Sequence, residues 1–189
     1  MARRQKWWRR VANVDLGRLV FLDETGAKTS MTRAYGRAEG GHRAVDHAPA
    51  GHWSTTTLLS SLRQDAPSAA MVIEGSTDAE VFHAYVQQVL VPVLRPGDIV
   101  VMDNLSPHKG SSIEAMIRAA GADVWYLPPY SPDYNPVEQL WSKVKAFLRK
   151  AKARTTQALL IAVGQALRTV TSDDVNGWYA HCGYVTTQA

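Results

Sequence analysis

Asp23, Asp103 and Glu138 are the residues of this chain whose type and placing could do chemistry. Asp23 closes the apolar run Leu-Val-Phe-Leu-Asp23, and Asp103 closes Ile-Val-Val-Met-Asp103. Glu138 stands in the first turn of a helical pattern, behind a loop with four prolines in nine residues, Pro128 to Pro136. Proline fixes φ and removes a backbone donor, so this loop is stiff and the start of the helix is set in space. Two neighbouring carboxylates repel, and without a cation one is driven toward its protonated form. A hard divalent cation resolves that conflict: Mg²⁺ takes one or two carboxylates together with waters and phosphate oxygens.

Taken singly, each acid has a plainer role. Asp23-Glu-Thr-Gly and Asp103-Asn-Leu-Ser-Pro both make good turns. Asn135 is placed to cap a helix, Pro136 to begin it, and Glu138 to bond back to the cap and favour the helix dipole. Only the elements that carry these acids bring them together.

The run ending at Asp23 suits a strand buried on both faces. Residues 26–52 are rich in glycine and charge without sustained periodicity, a loop-dominated insertion with room for one short strand. Trp53–Leu62 and Ala69–Glu74 read as the arms of a hairpin turning at Gln64–Ser68. Thr77 is placed to cap a helix with Glu80 reaching back, and Val81, Phe82, Tyr85, Val86, Val89 and Leu90 form its apolar stripe. Asp98–Asp103 is a further strand, residues 111–120 a short helix ended by Gly121, and Ala122–Leu127 a fifth strand. A helix over Asn135–Lys152, another over Thr155–Val170 and a short turn from Ser172 complete the order. A three-strand meander followed by alternating helix and strand predicts an α/β domain, a mixed five-stranded sheet with helices on both faces, in the ribonuclease H-like order. There the strands ending at Asp23 and Asp103 are parallel neighbours near the centre, and such sheets bind ligands beyond the carboxyl ends of their strands.

At 189 residues and 46% hydrophobic, the chain is expected to form one soluble domain with a single sizeable core. No apolar run reaches the length of a membrane span, and none follows the first charges, so neither a span nor a signal peptide is expected. The one cysteine, Cys182, excludes an internal disulfide and a cysteine-built zinc site and fits a reducing cytoplasm. His42, His47 and His52 recur at a spacing that fits neither a helix face nor a zinc-ligand pattern.

The net charge of +4 is unevenly placed. Residues 1–10 carry Arg3, Arg4, Lys6, Arg9 and Arg10 without an acid, and residues 143–154 carry Lys143, Lys145, Arg149, Lys150, Lys152 and Arg154 without an acid. That leaves 10 basic and 17 acidic residues elsewhere, net −7, the pattern of a protein that meets a polyanion on particular surfaces. The first segment, with Trp7 and Trp8 among its charges, reads either as a solvated leader or as a phosphate-contacting arm.

Phe-Leu-Asp23-Glu, then Val-Met-Asp103-Asn with His108 beyond it, then Leu127-Pro-Pro-Tyr-Ser-Pro-Asp-Tyr-Asn-Pro-Val-Glu138-Gln-Leu-Trp141 resemble the catalytic domain of mariner-superfamily DDE transposases, in their bacterial insertion-sequence branch. The likeness runs from about Leu19 to Tyr184, and the 34 residues between Asp103 and Glu138 match that branch. The resemblance implies a ribonuclease H-like domain that binds two divalent metal ions, Mg²⁺ or Mn²⁺, and cuts and joins DNA strands. It implies Asp23, Asp103 and Glu138 as catalytic metal ligands, with Asp23 bridging both ions. It also implies double-stranded DNA as partner (element ends and a TA target), a homodimer, and a cytoplasmic, nucleoid-associated protein. Relatives carry an N-terminal helix-turn-helix region that reads the inverted repeats, and none fits into residues 1–17. The chain is therefore expected to be a basic arm (1–17) and a catalytic domain (18–189), with a helix-turn-helix supplied by a separate polypeptide from an upstream frame as one arrangement.

Around the acids, Asn104, His108 and Lys109 are candidates to orient a water or touch a phosphate, with local hydrogen bonding or solvation as the alternative. Lys143, Lys145, Arg149 and Lys150, with Arg9 and Arg10, are candidate DNA contacts, with a solvated helix face as the alternative. Trp141 is expected to pack in the core and hold Glu138 still. Two other functions stay open: a ribonuclease H-like nuclease without strand transfer, and an inactive or accessory DNA-binding remnant of a transposase.

Overall fold

The computed structural model describes residues 2–50, 55–104 and 110–185. Its centre is a five-stranded sheet built from β1 (Leu19–Lys28), β2 (Thr55–Leu62), β3 (Pro67–Glu74), β4 (Ile99–Met102) and β5 (Asp123–Tyr126). The strands lie in the order β3-β2-β1-β4-β5. The first three form an antiparallel meander, β4 joins β1 in parallel, and β5 joins β4 in parallel. All four residues of β4 are buried, because a parallel strand at the centre is covered on both faces.

Alternation along β1 divides the core in two. Leu19 and Phe21 belong to the layer of α4 (Val137–Ala151), α5 (Thr156–Arg168) and α6 (Ser172–His181). Val20 and Leu22 belong to the layer of α2 (Ala79–Tyr85) and α3 (Ser111–Ala119). This is the ribonuclease H-like architecture that the element order predicts. Among the described residues no helix is long and apolar enough to cross a membrane.

Several elements differ from expectation. β1 does not stop at Asp23 but stays paired with β2 out to Lys28 opposite Thr55, so sheet hydrogen bonding overrides the turn chemistry of Asp-Glu-Thr-Gly. The cap of α2 is Asp78, which accepts from the Val81 amide at 2.8 Å, and not Thr77. Beyond α2 the stripe continues as a π turn over Val86–Leu90 and a 3-10 turn over Val91–Val93, where Pro92 denies a regular helix its hydrogen bond.

The short turn expected from Ser172 is the ten-residue helix α6, entered through a Thr171–Asp174 capping box. Lys143 ties α6 to α4: its ammonium pairs with Asp174 and donates to the Thr169 carbonyl at 2.9 Å. Lys143 and the capping bonds hold the Asp174 carboxyl at about 2, below its ordinary 3.8. A carboxyl depressed on folding contributes stability that is complete above its unfolded pKa and disappears as pH falls through the folded one. Between pH 3.8 and about 2, wild-type protein should therefore lose more thermal stability than Asp174→Asn, as measured by calorimetry.

The basic N-terminus forms helix α1 (Ala2–Val11), docked on the α4 side of the core. Trp7 is 4% exposed, meets Trp125 edge to face at 5.9 Å, and donates from Nε1 to the Tyr184 hydroxyl at 3.2 Å. The Arg10 guanidinium lies 3.6 Å from the centre of the Trp125 ring and 3.9 Å from the Asp123 carboxylate. Arg10, a candidate DNA contact, is thus engaged by the protein's own surface, while Arg9 is exposed.

Candidate metal and nucleic-acid site

The parallel register Leu19↔Ile99, Val20↔Val100, Phe21↔Val101 ends two residues short of Asp23 on β1 and of Asp103, which follows the last residue of β4. Asp23 alternates in phase with Phe21, and Asp103 with Val101, so both acids leave the sheet on the face that α4 covers. Glu138 stands on the first turn of that helix. The three carboxylates line one cavity of about 410 Å³, together with Asn104, Asn135 and the proline loop.

The loop explains how Glu138 is presented. Asn135 has an extended backbone, its Oδ1 accepts from the Val137 amide at 3.3 Å, and its carbonyl accepts from the Glu138 amide at 3.1 Å. These bonds occupy the first amides at the entry of α4, although its cap position is Pro136, which makes no side-chain cap bond, and not Asn135 as the spacing predicts. The Asn135 amide that a capping glutamate would take donates instead to the Pro132 carbonyl at 2.9 Å. Glu138 is not used in a capping box; it stands exposed at the cavity wall. Trp141, one turn on, is 3% exposed in the core beneath it.

Asp23 is held by two donors among its contacts: the Glu24 amide reaches Oδ1 at 2.8 Å, and Asn135 Nδ2 reaches Oδ2 at 3.1 Å. Asn104 lines the cavity, but its Nδ2 donates to the Leu127 carbonyl and so ties the loop after β4 to the end of β5. His108 and Lys109, with His52, lie outside the described residues.

From outside, α1 clamps the same loop. Arg4 donates to Ser131 Oγ at 3.1 Å and to Asp133 Oδ1 at 3.0 Å, with its guanidinium 4.0 Å from the centre of the Tyr134 ring. The charge-assisted pair holds the Asp133 carboxyl below its ordinary range and raises Arg4. The Tyr184 hydroxyl adds a bond to the Tyr134 carbonyl at 2.7 Å. Neither Asn135 as a partner of Asp23 nor Arg4 as a loop clamp emerges from the sequence. An asparagine cap has a local signal and a spare amide, whereas the partners of Arg4 lie 127 and 129 positions away.

The donor set fits a hard divalent cation, because carboxylate and amide oxygens on one cavity wall are the ligands Mg²⁺ and Mn²⁺ accept. Among the described residues no three His, Cys, Asp or Glu side chains stand close enough together to hold a metal ion by themselves. A Mg²⁺ ion retains several waters and phosphate oxygens, so donors spaced around an open wall suit it.

The basic run of α4 divides. Lys145 and Arg149 follow Glu138 at the seventh and eleventh positions, on one stripe of the helix. Lys143 faces Asp174, Lys150 lies on that side too, and Lys152 pairs with Asp46 of the insertion at 2.6 Å. Arg154 donates to the Thr29 and Met31 carbonyls at 2.8 and 3.0 Å.

The family described as DDE superfamily endonuclease matches residues 18–160. None of the curated proteins matches the chain in sequence. Among solved structures, the pre-cleavage Mos1 transpososome is similar with a TM-score of 0.79 at 14% identity, over 97% of this chain and 58% of that one. The Mos1 strand transfer complex gives 0.73 at 16%, over 96% and 58%. The catalytic domain of Mos1 mariner transposase gives 0.72 at 13%, over 97% and 88%. At these identities the likeness is one of fold, and the chain spans about 58% of the longer Mos1 chain in the transpososome.

Proposed function

Because this chain belongs to the DDE superfamily of endonucleases, we propose that it is the catalytic domain of a mariner-superfamily transposase of the bacterial insertion-sequence branch, which cuts and joins DNA strands. The observation that carries this reading is that Asp23, Asp103 and Glu138, delivered by β1, the end of β4 and the start of α4, line one cavity. Two divalent ions are the proposed cofactor; Mos1 paired-end complexes have been solved with Mg and with Mn. When bound, the metal supplies neutralisation of the phosphate and a more acidic water.

The chain's own residues do the rest. Asp23 and Asp103 present two hard anions from neighbouring parallel strands that cannot shift independently. Glu138 supplies the third from a capped helix start whose loop is braced by prolines and by Arg4. Lys145 and Arg149 continue from Glu138 as a stripe for the DNA backbone. Double-stranded DNA with a TA target, a homodimer, a helix-turn-helix polypeptide from an upstream frame and a nucleoid location in the cytoplasm belong to the same proposal.

The direct test incubates the protein with Mg²⁺, a supercoiled plasmid and a labelled duplex carrying a free 3′-hydroxyl. Metal-dependent nicking and transfer of the label into plasmid are expected. Hydrolysis of RNA in an RNA–DNA hybrid without any joining would replace the reading by a simple ribonuclease H. For the stripe, Lys145→Ala with Arg149→Ala should weaken DNA binding and reduce the slope of log K against log salt by about two, one per lost phosphate contact. Lys143→Ala should leave the slope unchanged; equal slopes in all variants would assign the whole run to solvent.

A further inference from the structure

We propose that Asn135 is a positioning residue that fixes Asp23 relative to Glu138, and that α1 holds it in place through Arg4. The proposal rests on the metal-site reading of the three carboxylates. Asn135 is 3% exposed, and each of its polar groups is bonded. Its Nδ2 donates to Asp23 Oδ2 at 3.1 Å and its Oδ1 accepts from the Val137 amide at 3.3 Å. Its backbone amide donates to Pro132 at 2.9 Å, and its carbonyl accepts from the Glu138 amide at 3.1 Å.

Because one end of the side chain faces a carboxylate and the other an N–H, a flipped amide would break both contacts. With the Glu24 amide on Oδ1 at 2.8 Å, the plane of the Asp23 carboxylate is set by a donor at each oxygen. One buried side chain therefore joins the acid of β1 to the first turn of the helix that carries Glu138. Relaxation of the loop would let both acids drift, and the clamp against this lies in α1, outside residues 18–160 matched by the family. Arg4 bonds Ser131 and Asp133 and covers Tyr134, the residue before Asn135.

The experiment titrates Mn²⁺ into the full, metal-stripped chain by electron paramagnetic resonance and follows unfolding by circular dichroism. Serine at position 135 still accepts a hydrogen bond at a helix start but cannot reach Asp23. Asn135→Ser should therefore unfold cooperatively, close to wild type, yet bind Mn²⁺ about 10- to 100-fold more weakly, the usual effect of removing a bond that orients a metal-ligating carboxylate. Arg4→Ala, on a half-exposed side chain, should weaken Mn²⁺ in the same direction by a smaller factor. If Asn135→Ser fails to fold, Arg4→Ala decides alone. Loss of Mn²⁺ binding in Asp23→Asn with unchanged affinity in the folded Asn135 and Arg4 variants overturns the positioning role and leaves the metal site standing. A wild-type affinity no stronger than that of Asp23→Asn overturns the metal reading, and this inference with it.

Discussion

Asp23→Asn, Asp103→Asn and Glu138→Gln are each expected to lower Mg²⁺-dependent strand cleavage by about a hundred- to a thousandfold, the scale at which removal of one preorganised electrostatic group is felt. Each substitution keeps the shape and removes a charge, so the fold should survive. An asparagine at position 23 has one acceptor oxygen, so it keeps the hydrogen bond from the Asn135 amide or the one from the Glu24 amide, and loses the other. At position 103 asparagine keeps the size and shape of the side chain. At position 138 the carboxylate is exposed, and the Asn135 amide it would cap is already bonded to Pro132, so glutamine costs the helix little. Plasmid nicking and circular dichroism on the same preparations check both halves. Normal cleavage by Glu138→Gln would remove Glu138 from the site.

Trp7→Ala should destabilise the protein by about 3–5 kcal/mol, as truncation of a buried tryptophan usually does. For a chain of this size that corresponds to a fall in melting temperature of about 10 °C. The variant loses the edge-to-face contact with Trp125 and leaves the Tyr184 hydroxyl without the indole donor. Arg9→Ala, on the exposed side of the same helix, should leave thermal denaturation unchanged. An arm that contacts DNA makes the opposite prediction: an unaltered melting temperature with weaker DNA binding in both variants.

Much of the sheet was legible in the sequence, because buried parallel strands write themselves as short apolar runs and turns as glycine and proline. Capping residues proved harder to assign: Asp78 and not Thr77 caps α2, since neighbouring side chains of similar capping strength compete and only the path of the chain chooses. Helix α6 was underestimated because its buried positions, Val175 and Tyr179, are few and separated by polar residues. The basic run of α4 looked uniform, yet ion pairing from distant segments takes Lys143 and Lys152 out of it and leaves Lys145 and Arg149 on the line of Glu138.

Local sequence, then, was enough for the order of the five strands and for placing Asp23 on the first strand, Asp103 just after the fourth and Glu138 at a helix start. Apolar periodicity, prolines and caps act over a few residues, and their effect is visible in those residues. Tertiary structure decided what those acids share. Asp23, Asp103 and Glu138 line one cavity, and a bond across 112 positions ties Asn135 to Asp23. The fold also placed Trp7 in the core and set Arg4 on the surface against Ser131 and Asp133. A helix of arginines and tryptophans has the same local chemistry whether it meets a phosphate or a groove of its own chain, and the contacts of Arg4 and Trp7 with Asp133, Tyr134 and Tyr184 come from residues far away in sequence.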